Sequence, residues 1–128
     1  MRFISRKIHA VLDYISGVLL IASPWLFNFA DIAAAKWVAI IAGIVILGMS
    51  LLTDYEGGIK KIIPMSGHLT MDVIVGILLA VSPWLFNFSE YVYLPHLIIG
   101  ILEIGAGLFT ESSSEHSRPM DRNISPAH

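Results

Sequence analysis

One heptapeptide, Ser-Pro-Trp-Leu-Phe-Asn-Phe, occurs twice in this chain, at residues 23–29 and again at residues 82–88. The similarity extends backwards at a constant offset of 59, so that residues 9–29 and 68–88 share 13 of 21 positions without a gap. Chance does not produce such a match. The chain therefore contains two copies of one structural unit, each ending its first apolar segment with the same seven residues.

The second apolar segments of the two units also align, at an offset of 57. This alignment pairs Gly43 with Gly100 and Thr53 with Thr110. Glycines on these segments are expected to let neighbouring helices approach closely. The glycines in question are Gly43, Gly48, Gly100, Gly105 and Gly107.

Four apolar intervals contain at most one charged side chain each, in a chain that is 55% hydrophobic and only 14% charged. They are residues 8–30 with Asp13, 37–53 with none, 62–89 with Asp72, and 91–110 with Glu103. A membrane-spanning helix requires about 20 predominantly apolar residues. The sequence therefore predicts an all-α fold, an integral membrane four-helix bundle made of two tandem parallel two-helix repeats, with the lipid bilayer as its partner.

The basic residues predict the orientation. Seven of the eight Lys and Arg side chains fall on one side of the predicted spans, and only Lys36 falls on the other. This bias predicts a multi-pass protein of the inner (plasma) membrane with both termini in the cytoplasm. The predicted organisation is a basic cytoplasmic N-terminus (1–7), a first repeat (8–53), a cytoplasmic linker (54–67), a second repeat (68–110) and a disordered cytoplasmic tail (111–128).

Composition and motifs exclude several function classes. The chain has no cysteine, which excludes thiolate metal sites and cysteine catalysis, and its net charge of −2 argues against a nucleic-acid partner. Neither a phosphate-binding glycine loop nor a nucleophile motif is found. The expectation is a protein that is not an enzyme and carries no cofactor.

Each first helix carries a histidine and an aspartate four residues apart, His9 with Asp13 and His68 with Asp72. This spacing places both side chains on one helix face, which is expected to point inward. A carboxylate inside a membrane needs a partner, so the first interpretation is a polar pair that locks the bundle. The alternatives are a metal site of two His and two Asp, or a haem ligated by His9 and His68.

Glu103 breaks the symmetry of the repeat, because Ile46 occupies its place in the first copy. Its depth is similar to that of Asp13 and Asp72, so the three carboxyl groups could converge in the same half of the bundle. An intramembrane acid indicates a proton relay or a cation site. The competing interpretation is a neutral glutamic acid, hydrogen-bonded to backbone or to His68.

The repeated Ser-Pro-Trp lies within the predicted first helix of each unit. Its residues are Ser23, Pro24 and Trp25 in the first copy, and Ser82, Pro83 and Trp84 in the second. Proline lacks a backbone donor, so Pro24 should free the carbonyl of Leu20 and produce a kink or a break, with Ser23 capping the freed segment or bonding back to the helix. Trp25, Phe27 and Phe29 are expected at the outer interface.

On these motifs the chain resembles the SPW repeat family of small bacterial integral membrane proteins, over about residues 8–111. In that family the Ser-Pro-Trp lies in the first of two membrane helices per repeat, and the resemblance implies no reaction. The expected function is a non-enzymatic structural or interaction bundle, open to homo-oligomer formation. The alternative is a small proton or cation carrier, or a haem- or metal-binding bundle, that uses the intramembrane His, Asp and Glu side chains.

Overall fold

Residues 2–112 are described by a computed structural model, and they form four α-helices. The helices are α1 (Arg6–Leu26), α2 (Ala33–Leu52), α3 (Met65–Leu85) and α4 (Leu94–Phe109). The predicted all-α bundle is confirmed. From residue 113 onward the tail that the sequence predicts as disordered lies outside the described residues.

Three helices, α1, α2 and α3, are long and apolar enough to cross a membrane, and α4 is a shorter apolar helix of 16 residues. At 1.5 Å per residue α4 extends about 24 Å, somewhat less than a hydrocarbon core of about 30 Å. Pro95 lies in its first turn, where a missing backbone donor is harmless. The protein is therefore a membrane protein of four helices, three of which are clear candidate spans.

The helices pack as two hairpins, α1 on α2 and α3 on α4. Glycines bring each pair close: a Cβ atom on Gly43 would lie 2.6 Å from the Gly17 carbonyl oxygen, and one on Gly100 would lie 2.7 Å from that of Gly76. Gly43 and Gly100 therefore have the predicted packing role, whereas that prediction is wrong for Gly48 and Gly105. A Cβ atom on either of these would meet nothing within 4 Å among the described residues.

Short extended segments of the two repeats pair with each other at one end of the bundle. Ile4, before α1, forms a β-bridge with Thr110, after α4, and Ile63, before α3, forms one with Thr53, after α2. The Ile4 amide donates to the Phe109 carbonyl at 2.9 Å. Each copy therefore begins beside the end of the other, which places both copies in the same direction, as the parallel repeat predicts.

The proline of the heptapeptide leaves the helix intact. Helix α1 continues through Pro24 to Leu26, so the predicted alternative of a break is wrong. The hydroxyl of Ser23 donates to the Leu20 carbonyl at 2.7 Å, and that carbonyl is the acceptor that a proline at position 24 cannot use. The second copy repeats this bond, from Ser82 to Leu79 at 2.7 Å.

The last two residues of the heptapeptide end the helix. Asn28 has a left-handed backbone conformation with φ of 56°, and the next amide, of Phe29, donates to the Pro24 carbonyl at 2.8 Å. This is the bond that closes a helix when the residue just beyond its C-cap, here Asn28, is left-handed. Phe29 then points into the core, with 1% of its surface exposed, so its predicted interfacial position is wrong, whereas Trp25 is 61% exposed.

Candidate functional site

The two intramembrane His-Asp pairs meet in one buried group, which we call the His-Asp cluster (His9, Asp13, His68 and Asp72). Helices α1 and α3 bring these side chains together because both present the inward face on which the pairs lie. One nitrogen or oxygen atom from each residue can be chosen so that all four lie within 4.8 Å of one another.

Contacts within the His-Asp cluster alternate between imidazole and carboxylate. His9 Nε2 lies 2.8 Å from Asp72 Oδ2 and 3.1 Å from Asp13 Oδ1. His68 Nε2 lies 2.9 Å from Asp13 Oδ2 and 3.2 Å from Asp72 Oδ2. For both histidines the shorter contact is to the aspartate of the other repeat, so the cluster joins the two repeats rather than pairing each helix with itself.

The second ring nitrogen of each histidine bonds to a threonine that ends a helix of the other repeat. His9 Nδ1 lies 2.7 Å from Thr110 Oγ1, and His68 Nδ1 lies 2.6 Å from Thr53 Oγ1. The Thr53 hydroxyl donates its single proton to the Met49 carbonyl, so it accepts from His68. His68 therefore carries a proton on Nδ1 and turns Nε2 toward the carboxylates.

Asp13 and Asp72 have different surroundings. The hydroxyls of Ser50 and Tyr55 donate to Asp13 Oδ2 at 3.0 and 3.2 Å. Tyr55 lies after α2, and burial raises the pKa of its hydroxyl, so it remains a donor. The positions that correspond in the second copy, 107 and 112, carry glycine and serine. Asp13 therefore accepts hydrogen bonds from two hydroxyl groups whose equivalents the second copy lacks.

Several buried polar atoms of the cluster have close neighbours but form no hydrogen bond with them. His9 Nε2, Asp13 Oδ1 and Asp72 Oδ2 are buried and have no hydrogen-bond partner among residues 2–112. Two of their mutual distances are nevertheless 2.8 and 3.1 Å. These atoms therefore face one another without the angles that a hydrogen bond requires.

Glu103 lies beside the cluster, on α4. It is buried, it interacts electrostatically with Asp72 and Asp13, and its Oε2 atom has no hydrogen-bond partner among the described residues. No hydrogen bond to His68, one of the predicted possibilities, is found in that part of the chain. The three intramembrane carboxyl groups thus lie in one region of the bundle.

A groove of about 310 Å³ between α1 and α4 includes Glu103 and Ser16 in its lining. The corresponding residues of the other copy, Ile46 and Val75, are apolar and belong to or pack against the core. The acid and its serine neighbour are thus a paired departure from the repeat, confined to one of the two interfaces between the hairpins.

Basic side chains surround the end of the bundle nearest the His-Asp cluster. Arg6 lies 3.4 Å from a Glu56 carboxylate oxygen and donates to the Asp54 carbonyl. Arg2 donates to the Thr110 carbonyl at 2.9 Å. The same end therefore carries both the polar cluster and cationic side chains, which fits a membrane–water boundary.

A third buried histidine, His96, lies toward the heptapeptide end. Its Nε2 lies 2.9 Å from the Ala35 carbonyl oxygen. Its ring packs between Phe29 and Phe88, with centroids 5.2 and 4.8 Å away. His96 is a packing residue at the centre of that end.

The sequence singled out the four cluster residues and Glu103, and the structure brings all five together. The sequence did not identify Thr53 and Thr110 as histidine partners, although the alignment of these two threonines in the repeat was a usable signal. Ser50 and Tyr55 were also missed, because neither is repeated in the second copy. The Ser-Pro-Trp residues lie away from the cluster, in the segments that end α1 and α3.

The cluster contains no space for a haem between its histidines. The rings of His9 and His68 have centroids 5.3 Å apart and meet edge to face, and both aspartates bridge them. A porphyrin would have to displace both carboxylates, so this arrangement does not favour the haem alternative. Two imidazoles and two carboxylates, by contrast, are a donor set that divalent transition metals accept.

A comparison with models of known families matches residues 7–110 to the SPW repeat domain. Searches of curated proteins and of solved structures gave no match. The family match covers α2, α3 and α4, all of α1 except its first residue, and every residue of the His-Asp cluster.

Proposed function

The chain belongs to the SPW repeat family, and from this membership and the site's geometry we propose that it is a non-enzymatic structural or interaction protein whose two repeats are joined by the His-Asp cluster. The bundle is small, and its closest helix contacts run through glycine backbones. Such packing favours a rigid scaffold over a pore.

One observation carries this proposal: each half of the cluster is completed by the other repeat. His9 obtains its Nδ1 partner and its shortest carboxylate contact from residues of the second repeat, Thr110 and Asp72. His68 obtains both from the first, through Thr53 and Asp13. Buried polar contacts of this kind define the register of one helix against another. We therefore assign the cluster the role of an inter-repeat joint.

The joint can be tested by thermal unfolding in mild detergent. Asp13→Leu removes a carboxylate that contacts both histidines, whereas Val18→Leu changes a residue on the same helix that is 60% exposed. Breaking a buried ion pair by removing one partner costs about 3–5 kcal/mol, although polar contacts in membranes fall below this range. We expect a clear drop in Tm for Asp13→Leu and little change for Val18→Leu. Equal Tm values for the two variants would contradict the joint.

We further propose that the chain binds other copies of itself, because self-association is a typical property of a membrane scaffold. Native mass measurement of the full chain, in the same detergent, would give a defined homo-oligomer. A monomer at every protein concentration would remove the self-association part and leave only the joint within one chain. The proposed location is the inner membrane, with the basic end of the bundle facing the cytoplasm.

A second candidate function, a small proton or cation carrier, is favoured by Glu103. A buried acid whose Oε2 has no hydrogen-bond partner within residues 2–112, placed beside two further carboxylates, is costly to keep in a membrane. The test is proton and cation flux into liposomes that contain the wild type or Glu103→Gln. Flux that disappears in the variant would support the carrier and defeat the scaffold proposal, whereas equal background flux would defeat the carrier.

A further inference from the structure

We propose that the His-Asp cluster binds one divalent transition-metal ion, of the zinc type, through His9 Nε2, His68 Nε2 and one carboxylate oxygen each of Asp13 and Asp72. This inference goes beyond the scaffold function, which needs only that the cluster joins the repeats. The metal would act as a structural centre between the two copies.

The spacing of the donor atoms is the first argument. Ligands about 2.0–2.1 Å from a zinc ion, at angles between square and tetrahedral, lie about 2.8–3.4 Å from one another. The two contacts to Asp72 Oδ2 measure 2.8 and 3.2 Å, and Asp13 adds a contact of 3.1 Å through Oδ1 or 2.9 Å through Oδ2. These contacts fall in the range, and all four donor atoms lie within 4.8 Å of one another, so an ion would require the longer pairs to move closer together.

The direction of the donor atoms is the second argument. His9 Nε2 contacts two carboxylate oxygens at 2.8 and 3.1 Å, yet neither contact has hydrogen-bond geometry. Asp13 Oδ1 and Asp72 Oδ2 also lack hydrogen-bond partners among residues 2–112. These three buried atoms therefore face one another without hydrogen bonds, and a bound cation would satisfy them, whereas His68 Nε2 already contacts Asp13 Oδ2 at 2.9 Å.

Proton positions are the third argument. Thr53 uses its hydroxyl proton on the Met49 carbonyl, so His68 donates from Nδ1. His68 Nε2 lies 2.9 Å from Asp13 Oδ2 with hydrogen-bond geometry, so either a second ring proton or a metal ion lies between this nitrogen and the carboxylate. A divalent ion with two neutral imidazoles and two carboxylates has no net charge, which suits a site inside a membrane bundle.

The threonines complete the site. Metal-bound histidines nearly always donate their other ring N–H to an oxygen acceptor, which fixes the ring. Thr53 and Thr110 occupy that position for His68 and His9, at 2.6 and 2.7 Å. Four protein ligands without an open position are typical of structural rather than catalytic zinc. The proposed ion therefore agrees with a protein that is not an enzyme.

The direct test is metal content. The full chain, carrying a tag without histidines, is purified in mild detergent without chelator from cells supplied with zinc, and is then analysed by mass spectrometry for metals. We expect one zinc per chain to remain after gel filtration. After chelation, Co²⁺ should restore the site with visible absorption bands of nitrogen and oxygen ligation, and Zn²⁺ should raise Tm while Mg²⁺ leaves it unchanged.

Matched variants separate the cluster from other buried or acidic groups. His68→Gln and Asp72→Asn should abolish stoichiometric binding, whereas His96→Gln and Asp31→Asn, which lie outside the cluster, should retain it. Thr110→Val keeps all four ligands and should weaken binding about 10- to 100-fold. This variant keeps the test decisive if a ligand substitution prevents folding.

Two results would overturn the metal proposal. The first is a folded wild type that retains no zinc or cobalt at saturating concentration and shows no Tm shift, because protonated histidines would then hold the cluster together. The second is metal binding that is equal in the wild type and in a folded His68→Gln variant. Neither result would affect the Tm comparison of Asp13→Leu with Val18→Leu, so the scaffold proposal is tested independently.

Discussion

His68 donates a hydrogen bond from Nδ1 to the hydroxyl of Thr53 at 2.6 Å, across the boundary between the two repeats. The equivalent pair in the other copy, His9 and Thr110, is separated by 101 residues of chain and lies 2.7 Å apart. The two bonds are related by the internal symmetry of the bundle. Each holds the start of one repeat against the end of the other, and each fixes an imidazole of the His-Asp cluster.

Replacing Thr53 by valine tests the strength of this contact. The substitution keeps the shape of the side chain but leaves His68 Nδ1 as a buried donor without a partner. We expect a loss of about 1–2 kcal/mol in the free energy of unfolding, within the range for unsatisfied buried donors and for polar contacts in membranes. Unfolding in detergent, followed by helical circular dichroism, measures it.

Thr70 provides a matched control for Thr53→Val. Its hydroxyl bonds to the carbonyl of Ser66, four residues earlier, just as Thr53 bonds to Met49. Both variants lose that local bond, but only Thr53→Val loses a histidine partner. We expect Thr70→Val to remain within about 0.5 kcal/mol of the wild type. Equal losses for both variants would show that the His68 contact contributes nothing.

Two glycines of α4 predict opposite effects of the same substitution. A Cβ atom on Gly100 would lie 2.6 Å from the Ala80 backbone nitrogen and 2.7 Å from the Gly76 carbonyl oxygen, whereas one on Gly105 meets nothing within 4 Å among the described residues. Gly100→Ala should therefore destabilise the protein by about 1–3 kcal/mol, and Gly105→Ala should stabilise it by up to about 1 kcal/mol.

Thermal unfolding of the two glycine variants side by side is the measurement. The change in helix propensity is the same in both, so the difference between them reports the contact between α3 and α4. A destabilised Gly105→Ala variant would indicate that this face contacts something outside residues 2–112.

The sequence predicted the four helices because apolar length and an internal repeat are properties of the chain alone. It could not predict which aspartate each histidine contacts most closely. The spacing of four residues suggested His9 with Asp13, but the contact to Asp72, at 2.8 Å, is shorter than that to Asp13, at 3.1 Å. Such a choice depends on how two helices pack, which no local pattern records.

The heptapeptide also has features that its sequence alone does not predict. Its sequence predicts that Ser23 can bond back to the helix, because proline frees a carbonyl there. It does not predict that the chain turns at Asn28, just beyond the helix, or that Phe29 enters the core. A left-handed asparagine is recognisable only once the end of the helix is known, because asparagine is also common in ordinary turns.

Asn28 is therefore the subject of a third prediction. Glycine adopts its left-handed conformation freely, whereas alanine there costs about 1–2 kcal/mol. We expect Asn28→Gly to unfold at nearly the wild-type Tm and Asn28→Ala to unfold earlier. Asn87, with φ of 59°, should respond in the same way. Alanine tolerated at both positions would indicate that the asparagine side chains and backbone conformation contribute little to stability.

The last prediction concerns the direction in which the bundle crosses the membrane. The loop after α2 and the loop after α3 lie at opposite ends of the bundle, because α3 runs from one to the other. Activity reporters inserted into the full chain after Glu56 and after Ser89 should therefore report opposite sides of the membrane, with the reporter after Glu56 cytoplasmic, since Lys60 and Lys61 remain beside it. The same side for both fusions would contradict a membrane-spanning α3. Opposite sides with the Glu56 fusion outside would preserve the bundle and reverse its orientation, placing the His-Asp cluster near the outer face. Exchanging Lys60 and Lys61 for serine provides the control, because weakening the positive charge of this loop should reduce the cytoplasmic signal only if these lysines set the orientation.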